Sequence, residues 1–279
     1  MSVQRIDARF AALKAQNRAA FVAYVMAGDP DAETAFEILK GLPAAGADLI
    51  ELGFPFSDPM AEGPPIQRAA LRGLKSGMTL KGTLDLARRF RQTEQATPIV
   101  LMGYLNPLMS YGFERFAADA ADAGVDGLIA VDCPPEEEGP LADALDAAGL
   151  ALVRFATPTT DDARLKLIAR RTSGFIYYIS VAGVTGVKDA DAAAVAPAVE
   201  RVRRATGLPT AVGFGIKTPQ NAAAVARIAD AVVVGSVLVD EIADALAAGE
   251  PPAAKVLATA AALAQAVHMA RANRPAVEA

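Results

Sequence analysis

Apolar residues in this chain come in short, nearly unbroken runs separated by helix-period segments, and that alternation leaves few folds open. The runs lie at 21–27, 48–54, 98–102, 127–131, 151–156, 175–180, 209–213 and 231–234. Each is close to continuous in Val, Ile, Leu, Ala and Phe, the pattern of parallel strands covered on their outer face by helices. Between them, segments opened by capping residues predict helices over 31–42, 80–90, 113–123, 136–148, 161–171, 191–204, 219–228 and 237–247. No Ser/Gly/Pro-rich linker interrupts the series. Eight such units in about 250 residues match a (β/α)8 barrel, so the expected fold is α/β, a single-domain TIM barrel over 1–279. Residues 1–18 add an N-terminal helix with Ile6, Phe10 and Leu13 on one face, and 272–279 read as a frayed tail. A doubly wound open sheet is the alternative.

Charge and composition narrow the function. The formal net charge is −5, and the arginines are scattered or paired with acids, which argues against a nucleic-acid or anionic-membrane footprint. The longest membrane-span candidate, 256–270, is mostly Ala, is interrupted by Gln265 and His268, and is short of the ~20 apolar residues a span needs. It reads as a closing surface helix. The N-terminus lacks the order of a secretory signal, so the cytoplasm is the expected compartment. A single cysteine, Cys133, excludes an intrachain disulfide and reads as a packed thiol. The lone histidine, His268, falls in the C-terminal helix, far from any strand end, and is expected to be non-catalytic. One His and one Cys leave no nucleophilic triad and no transition-metal cluster, so no metal is expected.

Barrels of this kind work at the C-terminal ends of their strands. The second run ends Ile50-Glu51-Leu52-Gly53-Phe54-Pro55-Phe56-Ser57-Asp58-Pro59, with an acid inside an apolar strand whose alternate positions face the lumen. Burial there would raise the carboxyl pKa toward neutrality, which suits a group that both gives and takes a proton. A structural acid bonded to backbone or to a cation is the competing reading. The following loop carries Asp58 and Glu62, and two acids in different environments can divide acid and base roles. Loop acids are also commonly solvated charge or helix caps. Glycine-bearing turns end the last three strands: Ala182-Gly183-Val184-Thr185-Gly186, Gly213-Phe214-Gly215-Ile216 and Val234-Gly235-Ser236-Val237. Their backbones can approach a ligand closely, and the last opens a helix whose N-terminus favours an anion, making a phosphate cradle without basic side chains. The stretch 180–197 is long for a βα loop and is expected to act as a lid, an insertion without function being the alternative.

At Glu51-Leu52-Gly53-Phe54-Pro55-Phe56-Ser57-Asp58-Pro59, followed by Glu62-Gly63-Pro64 and Ile66-Gln67, the chain resembles the tryptophan synthase α subunit family. The likeness runs nearly end to end. It takes in Gly28-Asp29-Pro30, Tyr104, Asn106-Pro107, Asp132, Pro134, Tyr177, Ser180 to Gly186, Gly213-Phe214-Gly215 and Gly235-Ser236. The resemblance implies retro-aldol cleavage of indole-3-glycerol phosphate to indole and glyceraldehyde 3-phosphate, in L-tryptophan biosynthesis, with no cofactor in this chain. Glu51 matches the family's catalytic glutamate. Glu62 falls where the family usually has an aspartate that hydrogen-bonds the indole N–H, and the extra methylene moves the charge by about 1 Å. Tyr177 matches a residue that positions the acid. Tyr24, Ile66, Met102, Tyr104, Ile129, Thr185 and Phe214 match substrate-binding positions, and Gly186, Gly215, Gly235 and Ser236 match phosphate-binding ones. The family also implies a pyridoxal-phosphate β subunit in an αββα assembly, with Asp58, Pro59, Asn106 and the strand-six loop at the interface. A free-standing lyase, or a barrel that only binds a phosphorylated ligand, remain the other readings.

Overall fold

The structure, a computed structural model, describes residues 3–179, 192–213 and 215–272. The strands are β1 (Ala20–Met26), β2 (Leu49–Gly53), β3 (Ile99–Gly103), β4 (Gly127–Ala130), β5 (Ala151–Leu152), β6 (Arg154–Ala156), β7 (Ile176–Ile179), β8 (Thr210–Gly213) and β9 (Ala231–Val234). All pairings are parallel, in the order β5-β4-β3-β2-β1-β9-β8-β7-β6. The two ends of that sheet are one continuous piece of chain, so the sheet curls into the expected (β/α)8 barrel. The fifth apolar run is two short strands instead of one, because its first half pairs with β4 and its second half with β7.

Helices wrap the barrel: α1 (Val3–Ala15), α2 (Ala32–Gly41), α3 (Pro64–Lys75), α4 (Leu80–Arg91), α5 (Leu105–Tyr111), α6 (Phe113–Asp122), α7 (Gly139–Ala148), α8 (Asp162–Ala169), α9 (Ala192–Thr206), α10 (Pro219–Ala226), α11 (Ser236–Ala248) and α12 (Pro252–Met269). Two of them, α3 and α5, are not among the helices expected from the sequence. The stretch after Glu62 is not all loop: Pro64 and Pro65 open α3, where proline's fixed φ and missing N–H suit the first turn. Asn106-Pro107 likewise lies in the first turn of the short α5. The expected lid, 180–197, overlaps α9, which carries Pro197 inside it, and the rest of that lid lies outside the described residues. So does nearly all of the expected tail. The C-terminal helix is more than a surface cover. It buries Val256, Ala260, Leu263, Ala264 and Val267 and packs on α2, α10, α11 and β1. Among the described residues no helix is long and apolar enough to cross a membrane.

Two apolar layers follow from the strand pleat. Ile50 and Leu52 of β2 join the outer layer under the helices. The inner layer takes alternate residues: Val22 and Tyr24 of β1, Leu49 of β2, Val100 and Met102 of β3, Ile129 of β4, Tyr177 of β7 and Val233 of β9. From α1, Ile6, Phe10 and Leu13 enter the same layer, Phe10 meeting Phe175 at 5.7 Å between ring centroids. The N-terminal helix therefore plugs the bottom of the lumen.

Three aspartates just ahead of strands staple that bottom rim. Asp48 Oδ2 accepts from the Phe21 amide at 2.9 Å, and Asp48 Oδ1 from Arg18 at 2.6 Å. Its partner at 2.9 Å is His268 Nε2, which assigns the lone histidine to structure, as its sequence position suggested. Asp126 Oδ2 accepts from the Ile99 amide at 2.7 Å and from Arg91 at 2.8 Å, while its other oxygen meets Arg5. Asp230 Oδ2 accepts from the Thr210 amide at 2.9 Å and Arg203 Nε at 3.0 Å. Each joins one strand to its neighbour at the face opposite the chemistry, where side chains serve stability. Cys133, after β4, is buried, and burial pushes its thiol up, as expected of a packed thiol.

Candidate active site

Glu51 occupies the middle of β2, between Tyr24 of β1 and Val100 of β3 in the register. Leu49, two residues earlier, belongs to the inner layer, so the pleat turns Glu51 into the lumen as well. The residue is 1% exposed, and its Oε1 has no hydrogen-bond partner among the described residues. Among the described residues neither a backbone bond nor a salt bridge accounts for that oxygen, which favours a chemical role over a structural one. Burial, and then the charge of Glu62, push its pKa up to about 8.

Glu62 comes from the loop after β2, yet it is buried, and that burial pushes its pKa up to about 7. The common fate of a loop acid, solvated surface charge, does not apply. Its amide donates to the Pro59 carbonyl at 3.0 Å, and its carbonyl accepts from Gln67 Nε2 at 2.9 Å. The amide before it, on Ala61, donates to the Tyr104 hydroxyl at 3.0 Å.

Two buried tyrosines flank the acids. Burial raises the hydroxyl pKa of both well above the usual value, with Glu62 and then Glu51 adding to the effect at Tyr24, and Glu51 and then Glu62 at Tyr177. Tyr177 stands edge-on to Phe155, ring centroids 5.1 Å apart. Glycine makes room for both: a Cβ on Gly53 would collide with the Tyr24 hydroxyl, and one on Gly213 with the Tyr177 hydroxyl. These strand-end glycines are therefore packing residues for the tyrosines, a role hidden in the sequence.

A cleft of about 490 Å³, counting the space open at its mouth, joins these groups to the glycine turns. Its lining includes Glu51, Glu62, Tyr24, Tyr177, Ile66 and Met102 at one end and Gly215, Gly235 and Ser236 at the other. Gly215 has φ +77°, a left-handed conformation that favours glycine. Gly235 caps α11 with no side-chain hydrogen bond, so the helix N-terminus presents amides to the cleft. Among the described residues no Lys or Arg lines the cleft. Ile216 and Val233 also line it and were not singled out from sequence, although Val233 sits two residues before Gly235 in an alternating strand. Ile129 is fully buried beside Met102 in the register and Tyr104 is buried too, and neither is on the cleft wall. Thr185, Gly186 and Phe214 lie outside the described residues. Asp58 is exposed and Pro59 half-buried on the loop that follows β2, and Asn106 is exposed in the first turn of α5, with Met60 81% and Met109 62% exposed nearby in sequence. Among the described residues no cluster of three or more His, Cys, Asp or Glu side chains could hold a metal ion.

The chain is similar to known proteins over nearly its whole length. A family model described as "Tryptophan synthase alpha chain" matches residues 10–268. Tryptophan synthase alpha chains from Phenylobacterium zucineum, 70% identical over 99% of this chain and 100% of the relative, and from Caulobacter vibrioides, 72% identical over 97% and 98%, are among its relatives. The crystal structure of the alpha subunit from Legionella pneumophila superposes with a TM-score of 0.88 at 40% identity, covering 94% of this chain and 98% of that one. Mycobacterium tuberculosis tryptophan synthase gives 0.85 at 32% identity over 95% and 98%. With the barrel, the inward glutamate and the matched length all in agreement, the chain belongs to the tryptophan synthase alpha chain family.

Proposed function

We propose that this chain is a lyase that cleaves indole-3-glycerol phosphate to indole and glyceraldehyde 3-phosphate. One observation carries the reading: a buried carboxyl, Glu51, one of whose oxygens has no partner among the described residues, points into a cleft whose far end is a helix N-terminus flanked by glycine turns. The phosphoryl group would sit on the amides of Gly235 and Ser236 beside Gly215, an anion site that needs no cationic side chain. The indole ring would lie between the aromatic and aliphatic residues at the acidic end.

In the proposed reaction Glu51, neutral because it is buried, gives its proton to the ring carbon that bears the side chain. The positive charge that develops spreads to the ring nitrogen, where ionised Glu62 accepts the N–H and stabilises it. The carbon–carbon bond then breaks as the side-chain hydroxyl loses its proton to Glu51. Its electron pair restores the aromatic ring, and the hydroxyl carbon becomes the aldehyde. One proton enters and one leaves, so the acid is regenerated. Tyr177 would hold Glu51 in register. No cofactor takes part on this chain. The reading extends to a pyridoxal-phosphate β subunit docking over Asp58, Pro59 and Asn106 in an αββα assembly, the exposed Met60 and Met109 adding apolar area.

Indole release from purified chain tests the proposal. Slow turnover alone and strong activation by a tryptophan synthase β subunit are expected, and folded chain that releases no indole under either condition contradicts it. The active form needs Glu62 ionised and Glu51 protonated. The pH profile of kcat/KM should therefore be a bell, rising through about 7 and falling through about 8, the limbs belonging to the coupled pair. A flat profile from pH 6 to 9 would count against these roles. Glu62→Asp keeps the charge and restores the family's usual acid, so activity should stay within about tenfold of the parent. A loss as deep as that of a Glu51 substitution would mean the loop is tuned to the longer acid.

A further inference from the structure

We infer that Tyr104 and Gln67 are positioning residues for Glu62: together they fix the backbone on both sides of its Cα, and through it the depth to which the carboxyl enters the cleft. The inference rests on the lyase reading only for its kinetic consequences.

The resemblance places Tyr104 in the indole pocket, but the structure gives its hydroxyl a different task. Tyr104 is 3% exposed and is not on the cleft wall. Its hydroxyl accepts the Ala61 amide at 3.0 Å, and its ring meets Phe56 at 5.5 Å between centroids, so ring and hydroxyl both engage the loop that carries Glu62. Tyr104 is itself held: the next amide, on Leu105, donates to Asp132 Oδ1 at 2.7 Å and ties the start of α5 to the loop after β4. On the far side, Gln67 of α3 donates through Nε2 to the Glu62 carbonyl at 2.9 Å. The helix supplying Gln67 is anchored by Arg72, which grips Asp29 after β1 through two bonds, 2.6 and 2.8 Å. The Glu62 amide closes the turn on Pro59 at 3.0 Å. Thus a loop residue is clamped from β3, α3 and its own turn, and indirectly from the loops after β1 and β4.

Such bracing matters because a loop acid left to itself would turn to water. Burial alone raises Glu62 to about 7, so the held position is one the ionised carboxyl would leave if it could. A displacement of about 1 Å at a reacting centre can cost on the order of a hundredfold in rate. Since neither Tyr104 nor Gln67 is itself among the residues lining the cleft, and each acts through the backbone beside Glu62, loss of either should lower kcat far more than it raises KM.

Tyr104→Phe and Gln67→Leu, each in the full chain with β subunit present, test the inference. We expect kcat to fall about ten- to a hundredfold with KM changed by less than about threefold. The acid limb of the pH profile should move down from about 7 toward the ordinary carboxylate range, as the freed loop hydrates Glu62, while the upper limb moves less, because burial is the larger cause of the Glu51 shift and only the added charge of Glu62 is lost. A purely structural role would lower Tm without moving that limb. Variants that keep the parent's limb and kcat overturn the inference, whatever their Tm. If the parent chain itself releases no indole, the lyase reading fails instead. The clamp is then still decided by ¹³C NMR titration of the Glu62 carboxyl in Tyr104→Phe, where a pKa unchanged from the parent's would overturn it.

Discussion

Glu51→Gln should leave a folded barrel that releases indole at least about a thousandfold more slowly than the parent, because the amide can neither give nor take the proton both bond changes require. The same substitution should make the protein more stable at alkaline pH. In the native state burial keeps the Glu51 carboxyl protonated up to about pH 8, whereas the unfolded chain ionises it near the ordinary 4.5. Between those values the unfolded state binds fewer protons than the native state, so the parent loses stability as pH rises and the loss is complete above about 8. A glutamine titrates in neither state. The variant's advantage should therefore be absent at pH 4, grow through neutrality, and reach on the order of a few kcal/mol at pH 9. Denaturant midpoints at the three pH values measure this, and an inactive variant that is equally destabilised at all of them would show that Glu51 serves packing instead of chemistry.

The second large effect lies at the opposite rim. Asp126 is fully buried and holds the Ile99 amide, Arg91 and Arg5. Burial also pushes Arg91 down to about 10, a sign of how poorly that guanidinium would fare without its partner. Asp126→Ala leaves a buried cation and a strand amide unsatisfied at once, and should cost about 3–5 kcal/mol. In a chain of this length that is on the order of 10 °C in Tm. The equivalent Asp230→Ala should cost much less, because Asp230 and Arg203 are about one third exposed, 30% and 34% at the side chain, and water can replace the pair. Equal losses in the two variants would mean that burial is not what sets the cost.

Much of this molecule is legible before any coordinates. Parallel strands buried on both faces must be continuous in apolar residues, so each run announces itself, and helix starts are marked by Asp31, Thr79, Asp161 and Thr218, whose side chains do cap α2, α4, α8 and α10. Glu51 stands out for the same reason: a lone acid in such a run has to be explained. Less legible is whatever depends on partners distant in sequence. That Val153 would break the fifth strand depends on which neighbour each half bonds. The burial of Glu62 depends on Tyr104, some forty positions away, and on a helix, α3, whose opening prolines resemble an ordinary loop signal. Gly53 and Gly213 read as turn formers until the tyrosine hydroxyls are seen beside them.

The central claim is that the fold holds Glu51 as a neutral acid at physiological pH. Carbon-13 NMR of chain labelled at the glutamate carboxyls, with Glu51→Gln used to assign the resonance, measures it directly. The account predicts a titration midpoint near 8, well above the solvent-exposed glutamates. A midpoint near the ordinary 4.5 would mean that Glu51 is ionised at neutral pH, and the proton donor at the heart of the mechanism would be gone.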